Sequence, residues 1–353
     1  MEDLRVDNHK LMYHIERLHS WLRGEDIYPV YIEISPSGTC NHRCIFCAFE
    51  YLNYKSQFID KKVLKRTLRG LAKCRVKSIM FSGEGEPFLH KNLPEFILYA
   101  KQVGLDVACA INGVLFTPEI AKQCLSALTW IKVSINAGTR KTYSKIHGCK
   151  EKDFDKVIFN LKEAVDIKRQ NGHPCTIGAQ IVLLPENIKE IEILANSLRK
   201  IGIQYLVVKP FIKHLMSGHN ISREITDKEL FALENRLKEF SKNDFKIYFR
   251  AHSFIKLKEP RPYKRCLGLP FFCEITSNGN IYTCGPYLGD SNFCYGNIYK
   301  DSFIEIWKGR KRKQILERIS KLDVSRCMKN CRLDEINRYL WELRNLPPHV
   351  NFI

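Results

Sequence analysis

Long apolar runs are missing from this sequence. No stretch approaches the roughly 18 apolar residues that a helix needs to span a bilayer. The N-terminal segment MEDLRVDNHKLMYHIERLHSWLRGEDIYP is charged and amphipathic, and it lacks the apolar core and small-residue cleavage site of a secretory signal. These absences argue against a membrane span and against export, so we expect a cytoplasmic protein without a membrane partner.

Acidic residues are also in short supply. The chain has 38 Asp and Glu against 57 Lys and Arg, which gives a net charge of +19. Such an excess favours nucleic acid, a membrane surface or an anionic small molecule as partner. The basic residues are dispersed, and no standard nucleic-acid-binding signature is present. The densest run, residues 308–313, is predicted to be a solvated helix face, with a phosphate-binding patch as the second interpretation.

The rest of the 353-residue chain, of which 44% is hydrophobic, suits one large α/β unit with an appendage. An amphipathic segment over residues 1–28 is expected to be one helix, and short β-rich runs then alternate with helix-length segments. The predicted strands lie at residues 30–35, 77–83, 106–112, 130–136, 176–184 and 204–209, and the predicted helices near residues 61–74, 93–103, 118–127, 153–171 and 188–201. This order indicates parallel βα units, six of the eight of a TIM barrel. The predicted fold class is α/β, a partial (β/α)6 TIM-like barrel with a C-terminal extension.

Polar residues or glycines follow the predicted strands. Functional groups of parallel βα folds gather at the carboxyl ends of the strands, so these residues are expected to share one pocket. They are residues 40–47, 82–87, 112–113, 134–138 and 209–210, together with the polar Gln180 inside the fifth strand. Because Gly, Asn and Ser are common in any βα turn, each signal is weak alone, and the set gains weight from the cysteines.

The 14 cysteines are unevenly distributed along the chain. In a reducing compartment, clustered cysteines hold metal or do chemistry more often than they form disulfides. Cys40, Cys44 and Cys47 follow the first strand with the spacing C-x3-C-x2-C. A closed zinc site takes four protein ligands, whereas three thiolates on a cubane iron–sulfur cluster leave one iron free for another ligand. The isolated cysteines are expected to be ordinary buried thiols; they are Cys74, Cys109, Cys124 and Cys149.

With the aromatic Phe46 before its third cysteine, this loop resembles the signature of the radical SAM superfamily. That signature is C-x3-C-x-aromatic-C after the first strand of a partial (β/α)6 barrel. The resemblance implies that Cys40, Cys44 and Cys47 hold a [4Fe–4S] cluster whose open iron binds S-adenosylmethionine (SAM). It also implies that one electron cleaves SAM to a 5′-deoxyadenosyl radical, which removes a hydrogen atom from the substrate. A zinc site completed by a ligand such as His42 or His90 is the alternative interpretation.

Further strand-end residues match the SAM pocket of this family. Residues 83–87 resemble its glycine–glutamate motif in a G-x-G-E-P form. The glycines would let the backbone approach the methionyl group of SAM, and Glu86 would accept from its ammonium group. The residues expected to contact SAM are Phe46, Gly83, Gly85, Glu86, Asn112, Ser134, Asn136, Gln180 and Lys209.

A second group of cysteines follows the barrel. Cys266, Gly279 and Cys284 have the spacing C-x12-G-x4-C, with a hairpin turn indicated at residues 278–279. With Cys327 and Cys331 downstream, this region resembles the SPASM/twitch extension of radical SAM enzymes. The shorter twitch form implies one auxiliary [4Fe–4S] cluster held by those four cysteines. Twitch regions usually end in C-x2-C and this chain has C-x3-C, so the ligand set stays open. Two spare thiols are candidate ligands, candidate hydrogen donors to a substrate radical, or buried thiols; they are Cys273 and Cys294.

These patterns divide the chain into five segments. After the βα repeat ends at Pro210, a helix is expected near residues 227–242. The predicted segments are an N-terminal helix (1–28), a radical SAM partial barrel (29–215), a connecting helix (216–245), a twitch/SPASM-like α+β region with the auxiliary cluster (246–331), and a C-terminal helix and tail (332–353).

The resemblance also bears on the substrate. Four thiolates would close the auxiliary cluster, and in similar enzymes such a cluster takes an electron from a substrate radical. A peptide-recognition domain does not fit into residues 1–28, and the excess of basic residues favours an anionic substrate. The predicted substrate is a sugar nucleotide or sugar phosphate, oxidised or epimerised at a hydroxylated carbon, with flavodoxin or ferredoxin as reductant. The alternatives are a maturase that modifies peptides or proteins and, more remotely, a non-catalytic metal-binding protein that binds nucleic acid.

Overall fold

The computed structural model describes residues 9–219, 221, 223–242 and 244–352. Within these residues, ten strands form one sheet: β1 (Tyr31–Ile34), β2 (Ser78–Phe81), β3 (Asp106–Ile111), β4 (Trp130–Ser134), β5 (Thr176–Leu183), β6 (Tyr205–Pro210), β7 (Lys246–Phe249), β8 (Phe272–Ile275), β9 (Asn280–Tyr282) and β10 (Cys294–Asn297). Their order across the sheet is β10-β9-β8-β1-β2-β3-β4-β5-β6-β7. The first strand of the chain therefore lies inside the sheet, with the C-terminal strands on one side and the remaining barrel strands on the other.

The same residues form twelve α-helices: α1 (Ile15–Leu22), α2 (Lys61–Lys73), α3 (Leu93–Gln102), α4 (Pro118–Cys124), α5 (Arg140–His147), α6 (Lys152–Asn171), α7 (Ile191–Ile201), α8 (Asp227–Lys238), α9 (Ala251–Lys258), α10 (Phe303–Lys308), α11 (Arg310–Ser320) and α12 (Asp334–Arg344). Local chemistry sets several ends. Asp60 caps α2 by accepting from two backbone N–H groups, and Gly172 and Gly202 end α6 and α7 in the left-handed conformation. None of these helices is long and apolar enough to cross a bilayer.

All six predicted strands are present, and β1 to β6 pair in parallel in sequence order. The predicted partial α/β barrel is therefore confirmed. The sheet continues past it, because β7 adds a seventh parallel strand next to β6. The β7 segment, KIYF, is half-buried at all four positions. It shows neither clear alternation nor an apolar run, which explains why its sequence does not predict a strand.

The C-terminal region extends the same sheet on the other side of β1. Strand β8 pairs with β1 in parallel and brings Glu33 level with Glu274. Strands β9 and β10 then follow in antiparallel pairing, and the predicted turn at residues 278–279 joins β8 to β9. The barrel and the cysteine-rich extension are thus parts of one hydrogen-bonded sheet, while the five segment boundaries given above stay predictions.

The two faces of the sheet differ in polarity. On β1, Ile32 is fully buried and packs in the main core with Leu64 of α2, whereas Glu33 points to the other face and is half-buried. The same alternation on β4 buries Ile131 and leaves Lys132 half-buried. An ordinary structural core excludes charged side chains. The second face, opposite to the one that packs on α2, therefore has the character of a site.

The N-terminal segment is less helical than predicted. Instead of one helix over residues 1–28, its described part has a 3₁₀ turn followed by α1, and residues 1–8 lie outside the described chain. Helix α1 begins at residue 15. Its buried residues are Leu18 and Trp21, while the side chain of Ile15 is 74% exposed. The buried pair packs on α12, so this segment has the structural role that its amphipathic pattern predicts.

The basic run at residues 308–313 is only in part the solvated face that the sequence predicts. Arg312 is buried, with its guanidinium carbon 3.9 Å from the centre of the Trp307 ring and an ion pair to Asp26 at 3.0 Å. Gly309 separates α10 from α11 with an extended backbone, and this break turns Arg312 inward while its neighbours stay exposed. Stacking and pairing offset the cost of burying the charge.

Candidate active site

The loop after β1 carries Cys40, Cys44 and Cys47 as half-buried free thiols. Burial, with a smaller contribution from neighbouring thiols, raises the pKa of Cys40 to about 11 and the pKa of Cys44 well above its ordinary value. Such groups become thiolates only beside a strong positive charge, which bound iron supplies. The donor set therefore fits the predicted iron–sulfur cluster.

The spacing of these sulfur atoms does not suit a single zinc ion. Ligands about 2.3 Å from zinc lie within about 4 Å of one another. Among the described residues, no set of three ligand atoms that includes Cys40 or Cys47 falls within 4.8 Å. In a cluster each thiolate binds a different iron, which permits the wider spacing. His90 bonds through Nε2 to the carbonyl oxygen of Ile59 at 2.8 Å, so it is not placed as a fourth zinc ligand. Ligand atoms of His42, Cys44 and His147 do lie within 4.8 Å of one another, but this set leaves out Cys40 and Cys47, so the three-cysteine zinc site gains no support.

Helix α5, which the sequence analysis did not predict, holds the cysteine loop in place. The backbone N–H groups of Arg43 and Ile45 donate to the carbonyl oxygens of His147 and Ile146, at 2.9 and 3.0 Å. Gly148 ends the helix with φ +56°, and a Cβ atom there would fall 2.3 Å from the carbonyl oxygen of Arg43. The carboxyl end of α5 is thus in direct backbone contact with the loop, at a distance that only glycine permits.

The imidazole of His147 lies between this loop and β4. Its Nδ1 is 3.5 Å from Sγ of Cys44, and its Nε2 accepts from the backbone N–H of Asn136 at 3.2 Å. The ring is buried and stacks on Tyr143 with a centroid distance of 4.0 Å. A residue of α5 therefore touches a predicted cluster ligand directly.

Gly83 and Gly85 bring the turn after β2 against the loop after β1. Gly83 has φ +116°, and a Cβ atom on it would fall 1.6 Å from Oγ of Ser35. A Cβ atom on Gly85 would fall 2.0 Å from the carbonyl oxygen of Thr39. The close approach that these glycines permit is thus to the chain itself, where the sequence analysis expected an approach to SAM. The contact of these glycines with SAM stays a prediction.

Glu86 is buried beside this turn and faces the start of the loop after β3. Its two oxygens accept from the backbone N–H groups of Phe88 and Asn112, at 3.1 and 2.7 Å. Burial nevertheless raises the pKa of Glu86 to about 7, because these two amides offset only part of the desolvation. The Asn112 side chain donates to Oδ1 of Asn41 at 2.7 Å and so ties this turn to the cysteine loop. A buried carboxylate in this position fits the ammonium group of SAM.

Asn136 forms structural hydrogen bonds after the end of β4, and its predicted contact with SAM stays a prediction. Its Oδ1 accepts from the backbone N–H of Val182 at 2.6 Å, and its Nδ2 lies 3.1 Å from both Oγ of Ser134 and Nε2 of His147. These bonds use the whole amide, which is fully buried. Ser134 is half-buried at the end of β4 and Gln180 is half-buried within β5, and their contacts with SAM stay predictions.

Phe46 lies edge-on to the imidazole of His147, with a centroid distance of 5.9 Å. It packs with Ile146, Val182 and Leu184 in a small apolar cluster that is separate from the main core. This packing places the aromatic position of the motif between α5 and β5. It explains the residue type independently of any contact with SAM, and that contact stays a prediction.

The four cysteines predicted to bind the auxiliary cluster come together in space. Cys266, Cys284, Cys327 and Cys331 line one largely apolar cavity of the C-terminal region. Burial, with a smaller contribution from neighbouring thiols, raises the pKa of Cys266 to about 11 and that of Cys284 well above its ordinary value. The fold thus assembles four thiols, in an environment that favours the thiolate only when metal is bound.

Polar groups of neighbouring residues contact these sulfur atoms. Nδ2 of Asn337 donates to Sγ of Cys266 at 3.5 Å, and Oγ1 of Thr283 lies 3.5 Å from Sγ of Cys284. Asn337 is itself fixed, because its Oδ1 accepts from the backbone N–H groups of Leu267 and Gly268 at 2.6 and 2.8 Å. Hydrogen bonds of this kind orient metal ligands and tune the metal centre.

Cys273 and Cys294 do not line this cavity. In the β1–β8 register Cys273 is level with Ile32 and belongs to the main hydrophobic core. Cys294 lies on β10 and lines a separate polar cavity bounded by Lys311. The structure does not bring either thiol to the face of Glu33, so their predicted roles as hydrogen donors or replacement ligands gain no support from it.

Charged side chains gather on the second face of the sheet. Lys132 of β4, Lys209 of β6, Arg250 after β7 and Arg332 interact electrostatically with one another and with Glu33. Burial and the neighbouring cations lower the pKa of Lys209 to about 8 and that of Lys132 well below its ordinary value. Lys132 and Lys209 thus lie close to further cations, a setting that a bound anion would stabilise, so these four residues fit an anion-binding site. We call them the cationic face.

Glu33 is the carboxylate of β1 that meets the cationic face. It pairs with Arg332 at 2.5 Å and accepts from the Tyr31 hydroxyl at 2.8 Å. The Arg332 side chain is 51% exposed although protein surrounds it on most sides, so a ligand can reach it. Arg332 directly follows Cys331, and the cationic face is therefore one residue away from the auxiliary cysteines.

Glu274 of β8 makes a second link of this kind. Its carboxyl group accepts from the backbone N–H of Gly285, the residue after Cys284. Burial and the nearby Glu33 raise the pKa of Glu274 well above its ordinary value, because both disfavour its charged form. Both carboxyl groups are thus held by residues that directly follow predicted cluster ligands.

Several residues of this site were not predicted from the sequence. Glu33, Lys132 and Glu274 each stand as a single charge inside an apolar strand, in VYIEIS, WIKVSIN and FFCEIT. That pattern is a usable signal, because a charge at mid-strand is costly unless it faces a site or a partner. His147 carries no comparable signal, since its role depends on α5 and on a contact across the fold.

Two family models match the chain. The model of the radical SAM superfamily matches residues 34–198, and the SPASM model, described as an iron–sulfur cluster-binding domain, matches residues 266–332. The chain therefore belongs to the radical SAM superfamily and is a radical SAM enzyme with a C-terminal SPASM region. Its cofactors are SAM, the [4Fe–4S] cluster of the radical SAM domain and auxiliary iron–sulfur binding in the SPASM region, where the matching model describes a cluster-binding domain. Enzymes of this class act on small molecules or peptides and need a reductant.

Similar proteins carry names that refer to nucleotides. A probable GTP 3′,8-cyclase of Saccharolobus islandicus is 26% identical over 292 residues, which cover 78% of this chain and 88% of that protein. A S-adenosylmethionine-dependent nucleotide dehydratase of Lacinutrix mariniflava is 35% identical over 112 residues, which cover 30% of this chain and 23% of that protein. The second match is confined to a part of each chain.

Solved structures share the fold at low sequence identity. SuiB of Streptococcus suis, bound to the precursor peptide SuiA, has a TM-score of 0.67 at 17% identity and covers 91% of this chain and 75% of that one. The protein anSMEcpe with bound AdoMet has a TM-score of 0.60 at 17% identity, with 88% of each chain covered. These matches support the architecture of the barrel with its extension.

Proposed function

We propose that this radical SAM enzyme removes a hydrogen atom from the sugar of a small phosphorylated substrate, either a nucleotide, a sugar nucleotide or a sugar phosphate. The observation that carries the proposal is the cationic face formed by Lys132, Lys209, Arg250 and Arg332. Phosphate oxygens would accept charge-assisted hydrogen bonds from these groups and neutralise them. Arg332 is the accessible member, and its guanidinium group suits bidentate binding of phosphate.

The position of the cationic face suits chemistry at the strand ends. The cysteine loop and Glu86 follow β1 and β2, while Lys209 and Arg250 lie at the ends of β6 and β7. Carboxyl ends of parallel strands lie at one edge of a barrel. A phosphate group held on the β4–β7 side would leave the sugar of the substrate directed toward the SAM site. Cys40, Cys44 and Cys47 would hold the cluster on which SAM, when bound, would supply the 5′-deoxyadenosyl radical.

The outcome that we propose is oxidation at a hydroxylated carbon: the 5′-deoxyadenosyl radical would take the hydrogen atom, a carboxylate of this chain the hydroxyl proton, and the auxiliary cluster the remaining electron. A bound auxiliary cluster would itself accept one electron. Glu33 and Glu274 lie between the cationic face and the auxiliary cysteines, so they are the carboxyl groups of this chain that would exchange a proton with a substrate hydroxyl. Tyr31 and Arg332 would keep Glu33 oriented for that role.

The relatives add support from their names. The names GTP 3′,8-cyclase and nucleotide dehydratase both refer to nucleotide substrates. For this chain we therefore give nucleotides and sugar nucleotides preference over simple sugar phosphates. We also propose a flavodoxin or ferredoxin as the reductant and the cytoplasm as the location, because all 14 cysteines are free thiols.

Binding and turnover on a substrate panel test the proposal. Reconstituted enzyme would be reduced with dithionite and given SAM together with GTP, UDP-glucose, glucose 6-phosphate or an unmodified peptide. We expect a phosphorylated compound to increase the formation of 5′-deoxyadenosine above the rate without substrate. The substrate position that transfers deuterium to 5′-deoxyadenosine would identify the carbon attacked.

Variants of the cationic face connect this activity to the observed charges. Because a charge-assisted hydrogen bond contributes about 1.5–3 kcal/mol, Lys209→Met and Arg332→Met are each expected to raise KM about ten- to a hundredfold. The control is Lys162→Met, on the exposed side of α6, which should leave KM unchanged. Stimulation by the peptide alone would contradict the proposal and favour a peptide-modifying maturase. Equal KM values for all three variants would contradict binding of the substrate phosphate by the cationic face.

A further inference from the structure

The hydrogen bonds of His147 determine which of its ring nitrogens carries the proton. Nε2 lies 3.2 Å from the backbone nitrogen of Asn136, and a backbone N–H only donates. Nε2 must therefore be the acceptor. The Asn136 side chain is also fixed, because its Oδ1 accepts from the backbone N–H of Val182, so its Nδ2 is a second donor toward Nε2 at 3.1 Å. The proton of the neutral imidazole is left on Nδ1.

Nδ1 faces a predicted ligand of the SAM-binding cluster. It lies 3.5 Å from Sγ of Cys44, a separation suited to an N–H···S hydrogen bond to the large sulfur atom. The bond is therefore one neutral N–H group directed at one cluster thiolate.

The surrounding protein keeps the imidazole in this orientation. The ring stacks on Tyr143 at 4.0 Å, and Phe46 and His42 meet it edge-on at 5.9 and 5.3 Å. Its own backbone carbonyl accepts from the N–H of Arg43 in the cysteine loop at 2.9 Å. Both the backbone and the side chain of His147 thus meet the same loop, which fixes the ring relative to Cys44.

We propose that His147 is a positioning residue that donates an N–H···S hydrogen bond from Nδ1 to the Cys44 thiolate and raises the reduction potential of the SAM-binding cluster. Reduction adds negative charge to the cluster and its sulfur ligands, and a hydrogen bond to a ligand sulfur offsets part of that charge. Asn136 acts one step further out, because it holds the tautomer that makes Nδ1 a donor. The inference concerns the cofactor site and holds whichever substrate the enzyme uses.

An EPR-monitored redox titration of the reconstituted enzyme tests the inference. The signal that changes when SAM is added belongs to the SAM-binding cluster, which separates it from the auxiliary one. In His147→Phe the ring still stacks on Tyr143 but donates nothing, and we expect a shift to a more negative potential. In His147→Gln the side-chain amide is able to donate to sulfur and accept from Asn136, and we expect a return toward the wild-type value.

The matched control is Tyr143→Phe. It removes only a buried hydroxyl, for which the described structure shows no hydrogen-bond partner, and it leaves the ring stack in place. We expect the wild-type potential in this variant. The inference is overturned if His147→Phe holds iron as the wild type does and keeps its potential, or if Tyr143→Phe shifts the potential equally.

A second measurement applies even if His147→Phe fails to assemble its cluster. Wild-type enzyme labelled with 15N-histidine should show weak coupling of a histidine nitrogen to the reduced SAM-binding cluster in pulsed EPR. His42 also lies near Cys44, so the coupling is assigned by its change in His147→Gln. No histidine coupling in the wild type, or a coupling unchanged in His147→Gln, would equally overturn the inference.

Discussion

Single charged residues on an otherwise apolar sheet define the chemistry of this protein at the residue scale. Lys132 and Lys209 lie on parallel strands among buried neighbours, and each loses part of its basicity to burial and to the other cations. Natural cores do not accumulate like charges without compensation. The cationic face therefore suits an anionic ligand, and the charge of Lys209 should depend on pH near neutrality.

Lys209 gives a prediction about pH. Its pKa is lowered to about 8, so the charged form predominates below pH 8 and is lost above it. For an anionic substrate, kcat/KM should fall about tenfold per pH unit above that value, because kcat/KM reports ionisations of the free enzyme. Lys209→Arg should remove this inflection, since arginine stays charged. An alkaline limb that is identical in Lys209→Arg would rule out Lys209 as its source.

Cys331 gives a prediction about the auxiliary cluster. Two cubane clusters contain about eight iron atoms. In Cys331→Ala, one of the four thiols that line the second cavity is lost, and the iron content should fall toward about four. Uncoupled cleavage of SAM should persist, because the first cysteine loop is untouched. Cys273→Ala is the comparison, since Cys273 does not line that cavity, and it should retain the full iron content. Equal iron loss in both variants would contradict this ligand set.

At the scale of elements, α5 contacts the loop that carries Cys40, Cys44 and Cys47 and holds it in place. It is a short helix of eight residues, and its carboxyl end is paired with the cysteine loop through backbone hydrogen bonds. A helix this short is not stable alone and depends on its tertiary contacts. This explains both why the sequence pattern did not reveal it and why the loop and the helix order each other.

Gly148 provides a test of that contact. Gly148→Ala places a Cβ atom 2.3 Å from the carbonyl oxygen of Arg43, so the cysteine loop after β1 must move. We therefore expect less iron to be bound at Cys40, Cys44 and Cys47. Gly172→Ala is the matched control, because Gly172 ends α6 with φ +63° and an added Cβ atom meets nothing within 4 Å. Both variants carry the cost of a left-handed alanine, about 1–2 kcal/mol. Iron content in Gly148→Ala equal to that in Gly172→Ala would show that the loop tolerates the displacement.

At the scale of the whole molecule, one sheet carries both cysteine sites. Strand β1 pairs with β2 on one side and with β8 on the other, so the radical SAM domain and the SPASM region share their central hydrogen bonds. The Glu33–Arg332 pair adds a link between the barrel and the segment that follows Cys331, while Glu274 and Gly285 connect two parts of the C-terminal region itself. The two cluster sites are thus held in one continuous structure.

A truncation tests this shared sheet. A chain ending at residue 265 loses β8 and exposes the edge of β1, an unpaired strand from the interior of the sheet. Such an edge favours aggregation, and we expect largely insoluble protein or a strongly lowered Tm. A chain ending at residue 345 loses residues 346–352, which are exposed, together with residue 353, and it should keep the Tm of the full chain. Equal Tm values for the two truncated chains would mean that the barrel is stable by itself.

Patterns that are local in the chain determined much of this protein. The alternation of β-rich and helical segments predicted six parallel strands, and the cysteine spacings with Phe46 and residues 83–87 predicted the superfamily and its cofactors. Both depend on neighbours within a few residues, which a sequence displays directly. The C-x3-C ending left the second ligand set open, and only the fold brought Cys266 and Cys284 to the same cavity as Cys327 and Cys331.

Only the tertiary structure decided the features that depend on contacts between distant segments. The β1–β8 register places Glu33 beside Glu274, and the chain returns to the barrel at Arg332 to complete the cationic face. The contact of His147 with Cys44 joins residues 103 positions apart through a helix too short to be recognised alone. Such contacts leave no local pattern, because their energy comes from groups that meet only after the sheet has formed.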